Sequence, residues 1–284
     1  MFERFARSWT LVKTSWSVLM ADKELLVFPA ISAVALVLVT ASFALPFFGM
    51  KGLDALSAGD DEPLSAGLTL LGFLFYLSQY FVIFFFNTAL VGAALIRLDG
   101  GDPTLGDGLR IAGTRFFTIL GYACIAATVG MILRLIQERV GFIGQLIVGL
   151  LGIGWTLATY MVVPVLAARD VSPVEAVKES AELLKRTWGE NVIGQASLGL
   201  AFGFIYFIAI VCGVLLVVFA SATQSVVLIV LALIVAIGAA LAVALVHTAL
   251  SGIYSAALYR YANDDAGTTG FDQQALKGAF APAP

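Results

Sequence analysis

From Asn191 to Tyr259 the chain reads NVIGQASLGLAFGFIYFIAIVCGVLLVVFASATQSVVLIVLALIVAIGAALAVALVHTALSGIYSAALY, without one Asp, Glu, Lys or Arg. A single helix of that length would run to roughly 100 Å at 1.5 Å per residue. That is about three times the hydrocarbon thickness of a bilayer. The small polar patch Ser221-Ala222-Thr223-Gln224-Ser225, which separates two apolar runs, must therefore be a tight turn between two spanning helices. In hydrocarbon every backbone group has to be satisfied internally, which leaves helices or closed barrels. Barrel strands would alternate apolar and polar residues in short segments, and this stretch is continuously apolar, so helices are indicated.

Working outward, the same signature recurs. Spans are expected at about 25–48, 64–96, 116–136, 140–168, 192–220 and 226–259. The spans at 64–96 and 226–259 exceed the usual length and must tilt, kink or extend past the membrane. Composition agrees: 60% of residues are apolar and 12% charged, against nearly half and a quarter in a soluble domain. Lipid must replace water over much of the exterior. The fold class expected is an all-α, six-helix membrane bundle: one domain over 1–262 and a flexible cytoplasmic tail over 263–284. The first apolar run is too long for a signal-peptide core and reads as a retained span.

Lys and Arg set the orientation. Arg4, Arg7, Lys13, Lys23, Arg97, Arg110, Arg115, Arg169, Lys178, Lys185, Arg186, Arg260 and Lys277 fall on one side, and Lys51, Arg134 and Arg139 on the other. The richer side is expected to be cytoplasmic, with both termini there, in the plasma membrane of a prokaryote. The opposite segment carrying Asp54, Asp60, Asp61 and Glu62 suits an outer surface.

The chain also repeats. Asn87-Thr88-Ala89-Leu90-Val91-Gly92 and His247-Thr248-Ala249-Leu250-Ser251-Gly252 share the pattern polar-Thr-Ala-Leu-x-Gly, each followed by Ala-Ala-Leu-x-Arg. Thr159 holds the Asn87 spacing in the fourth span. Ser172-Pro173-Val174-Glu175 is a capping box that starts a helix. Its apolar face is expected at Val174, Val177, Ala181 and Leu184, with Lys178/Glu182 and Glu182/Arg186 pairs opposite. Asp102-Pro103 should start its counterpart, with Leu105, Leu109, Ala112 and Phe116 on one face. Phe2, Phe5, Trp9, Val12, Trp16 and Leu19 form a third such stripe. The unit expected is an interfacial amphipathic helix followed by a two-span hairpin, three times over, with the helices in the headgroup plane and Trp9, Trp16 and Trp188 in its belt.

Chemistry is sparse. All 19 carboxylates fall in termini, loops or interfacial helices, and His247 is the only histidine. That argues against a carboxylate proton relay, against a metal site and against enzymatic activity, and no cofactor is implied. His247 and Ser251 are i,i+4, weak evidence for a nucleophile. Net charge is −3 with scattered bases, which gives no nucleic-acid footprint; membrane lipids are the partners implied. Cys124 and Cys212 read as small buried hydrophobes. The polar residues at depth are Gln79, Asn87, Thr88, Thr159, Gln195, His247 and Thr248. Gln79, Asn87, Thr88, Thr159, His247 and Thr248 are the candidates to line a polar cavity; interhelical hydrogen bonding is the simpler account. Arg134 and Glu138 form an i,i+4 pair that snorkelling explains. Pro164 should kink the fourth span.

The segment Gly154-Trp155-Thr156-Leu157-Ala158-Thr159-Tyr160-Met161-Val162-Val163-Pro164-Val165-Leu166, followed by Ser172-Pro173-Val174-Glu175-Ala176-Val177 and Leu183 to Asn191, resembles a family of uncharacterised prokaryotic six-span membrane proteins. That family is distantly similar to the membrane domain attached to some glycerophosphodiester phosphodiesterases. The resemblance extends from Phe5-Ala6-Arg7-Ser8-Trp9 to the last span. It implies the six-span fold and carries no activity, because the family has none assigned, and the metal-dependent hydrolysis of the soluble phosphodiesterase domain is not implied. Three readings of function remain: non-enzymatic handling of a lipid or small apolar molecule, or membrane scaffolding; alternatively, a transporter or channel with a polar site between pseudo-symmetric hairpins; and a membrane enzyme acting on lipid, for which the sequence supplies no constellation.

Overall fold

The computed structural model describes residues 16, 18–49, 66–186 and 188–263, the side chains of 186–198 and 261 excepted. Nine helices follow one another among these residues: α1 (Val27–Gly49), α2 (Ala66–Leu98), α3 (Leu105–Thr114), α4 (Phe116–Arg139), α5 (Phe142–Ala158), α6 (Val162–Ala168), α7 (Pro173–Arg186), α8 (Trp188–Ala222) and α9 (Val226–Ala262). A 3-10 turn, Lys23–Leu26, leads into α1. Six helical segments are long and apolar enough to cross a membrane, α5 and α6 counting as one. The protein is an all-α membrane protein. Lipid is the covering its side chains require: Phe117 and Phe142 are each 83% exposed and Leu45 82%, which water would penalise heavily.

The chain divides into two compact units. The larger runs over Val27–Ala93 and Pro103–Arg186. Its packing is set by small residues and aromatic pairs. A Cβ on Gly108 would sit 2.5 Å from Phe28 Cζ and 2.6 Å from the Ala89 carbonyl oxygen, so glycine alone lets α3 close on α1 and α2. Gly121 does the same for α4, where a Cβ would come within 2.7 Å of Pro173. Phe84 packs on Tyr122 at 4.5 Å between ring centroids, joining α2 to α4.

The fourth span is broken as Pro164 requires. Pro has no N–H to offer the carbonyl one turn earlier, and the helix stops at Ala158 and resumes at Val162. Ser180 of α7 closes the gap. Its hydroxyl donates to the Ala158 carbonyl (2.6 Å) and accepts from the Met161 N–H (3.0 Å). Ser180 is fully buried.

That contact displaces the buried face of α7 from the one expected. Ala176, Ser180, Leu183 and Leu184 are buried, whereas Val174 is 54% exposed. The capping box forms: Glu175 N–H donates to Ser172 Oγ and Ser172 N–H to Glu175 Oε2 (2.9 Å). Lys178 and Glu182 form no ion pair among the described residues; Glu179 pairs instead with Arg169 at 2.7 Å. The start of α3 also differs from expectation. It is capped by Thr104, in a box closed by Asp107, rather than begun at Asp102-Pro103. On α3 Ala112 is buried, Leu105 and Leu109 are half-buried, and Phe116 belongs to α4.

The smaller unit joins the 3-10 turn, residues 94–102 and the α8–α9 hairpin. The expected turn is present. Thr223 and Gln224 donate backbone bonds to Ala220 and Ser221, and Gln224 takes φ 54°, the left-handed region. Gly213 lets the helices approach; a Cβ there would lie 3.1 Å from that of Ala236. Arg260, at the end of α9, is ion-paired with Asp99. Cys124 and Cys212 are free thiols on exposed rather than buried faces of their spans. In mid-span such faces are the ones lipid covers. Of the expected N-terminal stripe, Trp16 is exposed and Leu19 buried; Phe2, Phe5, Trp9 and Val12 lie outside the described residues, as do segment 50–65, residues 264–284 and the side chains of Trp188 and Gln195.

Candidate functional site

Within the larger unit, a cavity of about 500 Å³ opens between the last turns of α1, the first turns of α2 and the far end of α4. Each helix contributes one face at helical spacing: Thr40, Phe43, Ala44, Phe47 and Phe48 from α1, and Leu68, Leu71, Gly72, Phe75 and Tyr76 from α2. Side chains three and four apart meet on one helix side, so two short stripes suffice to build two walls. Phe43 and Phe75 meet edge to face at 5.5 Å and fix the distance between those walls. Gly72 leaves room: a Cβ there meets nothing within 4 Å.

Polar groups stand at two points of the lining. At the inner point Thr40 donates to the Leu36 carbonyl (2.8 Å) and accepts from Gln79 Nε2 (2.7 Å). At the mouth Arg134 donates through Nε to Glu138 (2.9 Å) and through Nη1 to the Tyr76 hydroxyl (2.6 Å). A mostly apolar, concave surface with few oriented polar groups is the general form of a small-molecule site, and 500 Å³ falls in the usual range.

The six residues expected to line a polar cavity divide between the units, and each is placed within its own. Gln79 is half-buried and reaches the apolar pocket through Thr40. Asn87 is half-buried, and Thr88 is fully buried with a hydroxyl that bonds nothing among the described residues. Thr159 donates to its own helix at the Trp155 carbonyl (2.8 Å). In the smaller unit His247 stacks on Phe202 at 4.3 Å and places Nδ1 3.4 Å from the Tyr206 hydroxyl. Thr248 is exposed and donates to the Ala244 carbonyl, one turn back (2.9 Å). Among the described residues no three His, Cys, Asp or Glu side chains gather as a metal site would need.

Beyond the spans, three carboxylates have shifted titrations. The Thr104 hydroxyl and N–H hold Asp107 below the usual carboxylate range, and Ser172 does the same for Glu175. Asp22, 7% exposed at the head of the 3-10 turn, is pushed up by burial, an effect the Arg97 charge opposes.

The pocket is the feature that sequence reading missed. Arg134 was legible as a pair with Glu138, but not Tyr76 as its third member, 58 residues away. The stripes on α1 and α2 were hidden because every face of these helices is apolar.

Residues 66–271 match the model of a family of unknown function, DUF6159. The chain belongs to this family. The DUF6159 match takes in α2 through α9, with Tyr76 and Arg134 of the pocket inside it and the α1 wall outside it. No curated protein matches the chain.

Proposed function

We propose that this DUF6159 protein holds a membrane lipid by its acyl portion in the pocket between α1, α2 and α4, without performing chemistry on it. One observation carries the reading: a 500 Å³ cavity walled by Phe43, Phe47, Phe48 and Phe75, with Arg134 the one charged residue among the described residues that line it. An apolar chain excludes water from such walls, at about 25 cal/mol per Å² of apolar surface covered. The cavity lies between spanning helices, where a lipid reaches it without leaving the membrane.

The setting is read from charge and pattern. The Arg97, Arg169 and Arg260 ends of the spans face the cytoplasm of a prokaryotic cell, so the pocket opens toward the outer leaflet. Helices α3 and α7 lie as amphipathic braces in the cytoplasmic headgroup plane, as parts of the repeat unit. Gly154–Asn191 resembles a six-span family that is itself distantly similar to the membrane domain attached to some glycerophosphodiester phosphodiesterases; on this proposal that resemblance accords with a lipid ligand.

Gly72→Leu tests this. The new side chain enters open space, and Gly is the poorer helix former by up to about 1 kcal/mol, so folding is spared while the pocket is filled. Native mass spectrometry of the purified protein should show bound lipid in the wild type and a loss of roughly tenfold in Gly72→Leu. Equal lipid in both would overturn the assignment.

A further inference from the structure

We infer that the Arg134–Glu138 pair at the pocket mouth selects a phospholipid with a zwitterionic headgroup, phosphate on Arg134 and ammonium on Glu138. The inference rests on the lipid reading above and adds the class of headgroup.

Arginine carries five N–H donors in a planar fork. Nε–H goes to Glu138 Oε1 and one Nη1 hydrogen to Tyr76, which leaves three donors. They are one hydrogen on Nη1 and two on Nη2, each able to meet a phosphate oxygen. Glu138 Oε2 has no partner among the described residues. The mouth therefore offers spare cationic donors and a spare anionic oxygen on adjacent turns of one helix. A phosphate joined by a short linker to an ammonium presents the opposite pair in the same order.

Snorkelling toward water is the competing account. A snorkelling arginine leaves its head free in the interface. This one is held on both sides, and Tyr76, which holds it, is itself part of the pocket wall. Nor does stability explain the pair: the side chains are 64% and 56% exposed, and exposed i,i+4 ion pairs contribute only about 0.3–0.5 kcal/mol.

An anionic headgroup fits less well. The phosphate of phosphatidylglycerol would satisfy Arg134, but its neutral hydroxyls leave the Glu138 charge without the counter-charge that an ammonium brings.

The test is headgroup competition on the full-length protein. It is delipidated, placed in nanodiscs of equimolar phosphatidylethanolamine and phosphatidylglycerol with identical acyl chains, and its bound lipid is read by native mass spectrometry. The wild type should retain phosphatidylethanolamine over phosphatidylglycerol by roughly fivefold, the scale of one partly exposed charge contact. Glu138→Gln should bring that ratio near one by lowering phosphatidylethanolamine retention, and Arg134→Gln should lower retention of both. A wild type without preference, a preference for phosphatidylglycerol, or a ratio untouched by Glu138→Gln overturns the headgroup assignment and leaves the pocket standing. Full retention in Gly72→Leu removes the pocket, and the headgroup assignment with it.

Discussion

Ser180 shows how much one hydroxyl decides. Its two bonds satisfy the Ala158 carbonyl and the Met161 N–H, one backbone group on each side of the break in the fourth span, at a fully buried site. Leaving a buried backbone group unpaired costs about 1–3 kcal/mol. Ser180→Ala should therefore destabilise the protein by about that amount, read by chemical unfolding in micelles. Ser255 supplies the control. It is buried too, but its hydroxyl only returns to the Gly252 carbonyl of its own helix (2.8 Å), so Ser255→Ala should cost well under 1 kcal/mol. Equal costs would mean that the Ser180 bridge contributes nothing beyond its burial. The break itself was legible from Pro164. The residue that repairs it was not, because Ser180 lies 22 residues from Ala158 and a lone serine on an amphipathic helix looks like part of its polar side.

At the scale of the element, α3 and α7 begin the same way, with a hydroxyl and a carboxylate three residues apart that cap each other's backbone N–H. One box was read from sequence and the other missed. Ser172-Pro173-Val174-Glu175 carries Pro at the first helical position, whereas Asp102-Pro103 drew attention from Thr104, the actual cap. Truncating either hydroxyl, Thr104→Ala or Ser172→Ala, should cost about 1 kcal/mol. The carboxylates add a pH signature. Asp107 and Glu175 are held below their ordinary range by bonds present only when the helices are folded, so the folded state favours their ionised forms. Their contribution is complete above the unfolded carboxylate values, about 4, and is lost as pH falls through the lowered folded values. Thermal unfolding of the wild type and an Asp107→Asn, Glu175→Gln variant should differ at neutral pH and converge in acid. A difference constant across that range would show that the charge plays no part.

For the whole molecule, the six spans were legible because solvation leaves little choice: long uncharged runs can be satisfied only as helices in lipid. The pocket was not legible for the same reason. In a soluble helix the buried face stands out against a polar one, whereas α1 and α2 are apolar on every side, so which stripe meets lipid and which meets a neighbour is a property of packing. Orientation sits between these cases, since it depends on where the charges fall. Arg169 and Arg115, at ends of spans in the larger unit, are tied to Glu179 and Asp170, and Arg97 and Arg260 in the smaller to Asp102 and Asp99. On the topology proposed above, thirteen of the sixteen Lys and Arg residues fall on the side of Arg97, Arg169 and Arg260. Translocating that side would move most of the basic charge across the bilayer, which the positive-inside bias disfavours. Single cysteines at Gly113 and Lys185, both exposed, and at Asp60 test the assignment once Cys124 and Cys212 are replaced by Ala, since both native thiols are exposed. A Cβ at Gly113 meets nothing within 4 Å, so the probe there leaves the packing intact. Asp60→Cys should react with an impermeant maleimide in intact cells, and Gly113→Cys and Lys185→Cys only after permeabilisation. The reverse pattern would invert the protein in the membrane and turn the pocket mouth toward the cytoplasmic leaflet, where the lipid it meets is drawn from a different pool.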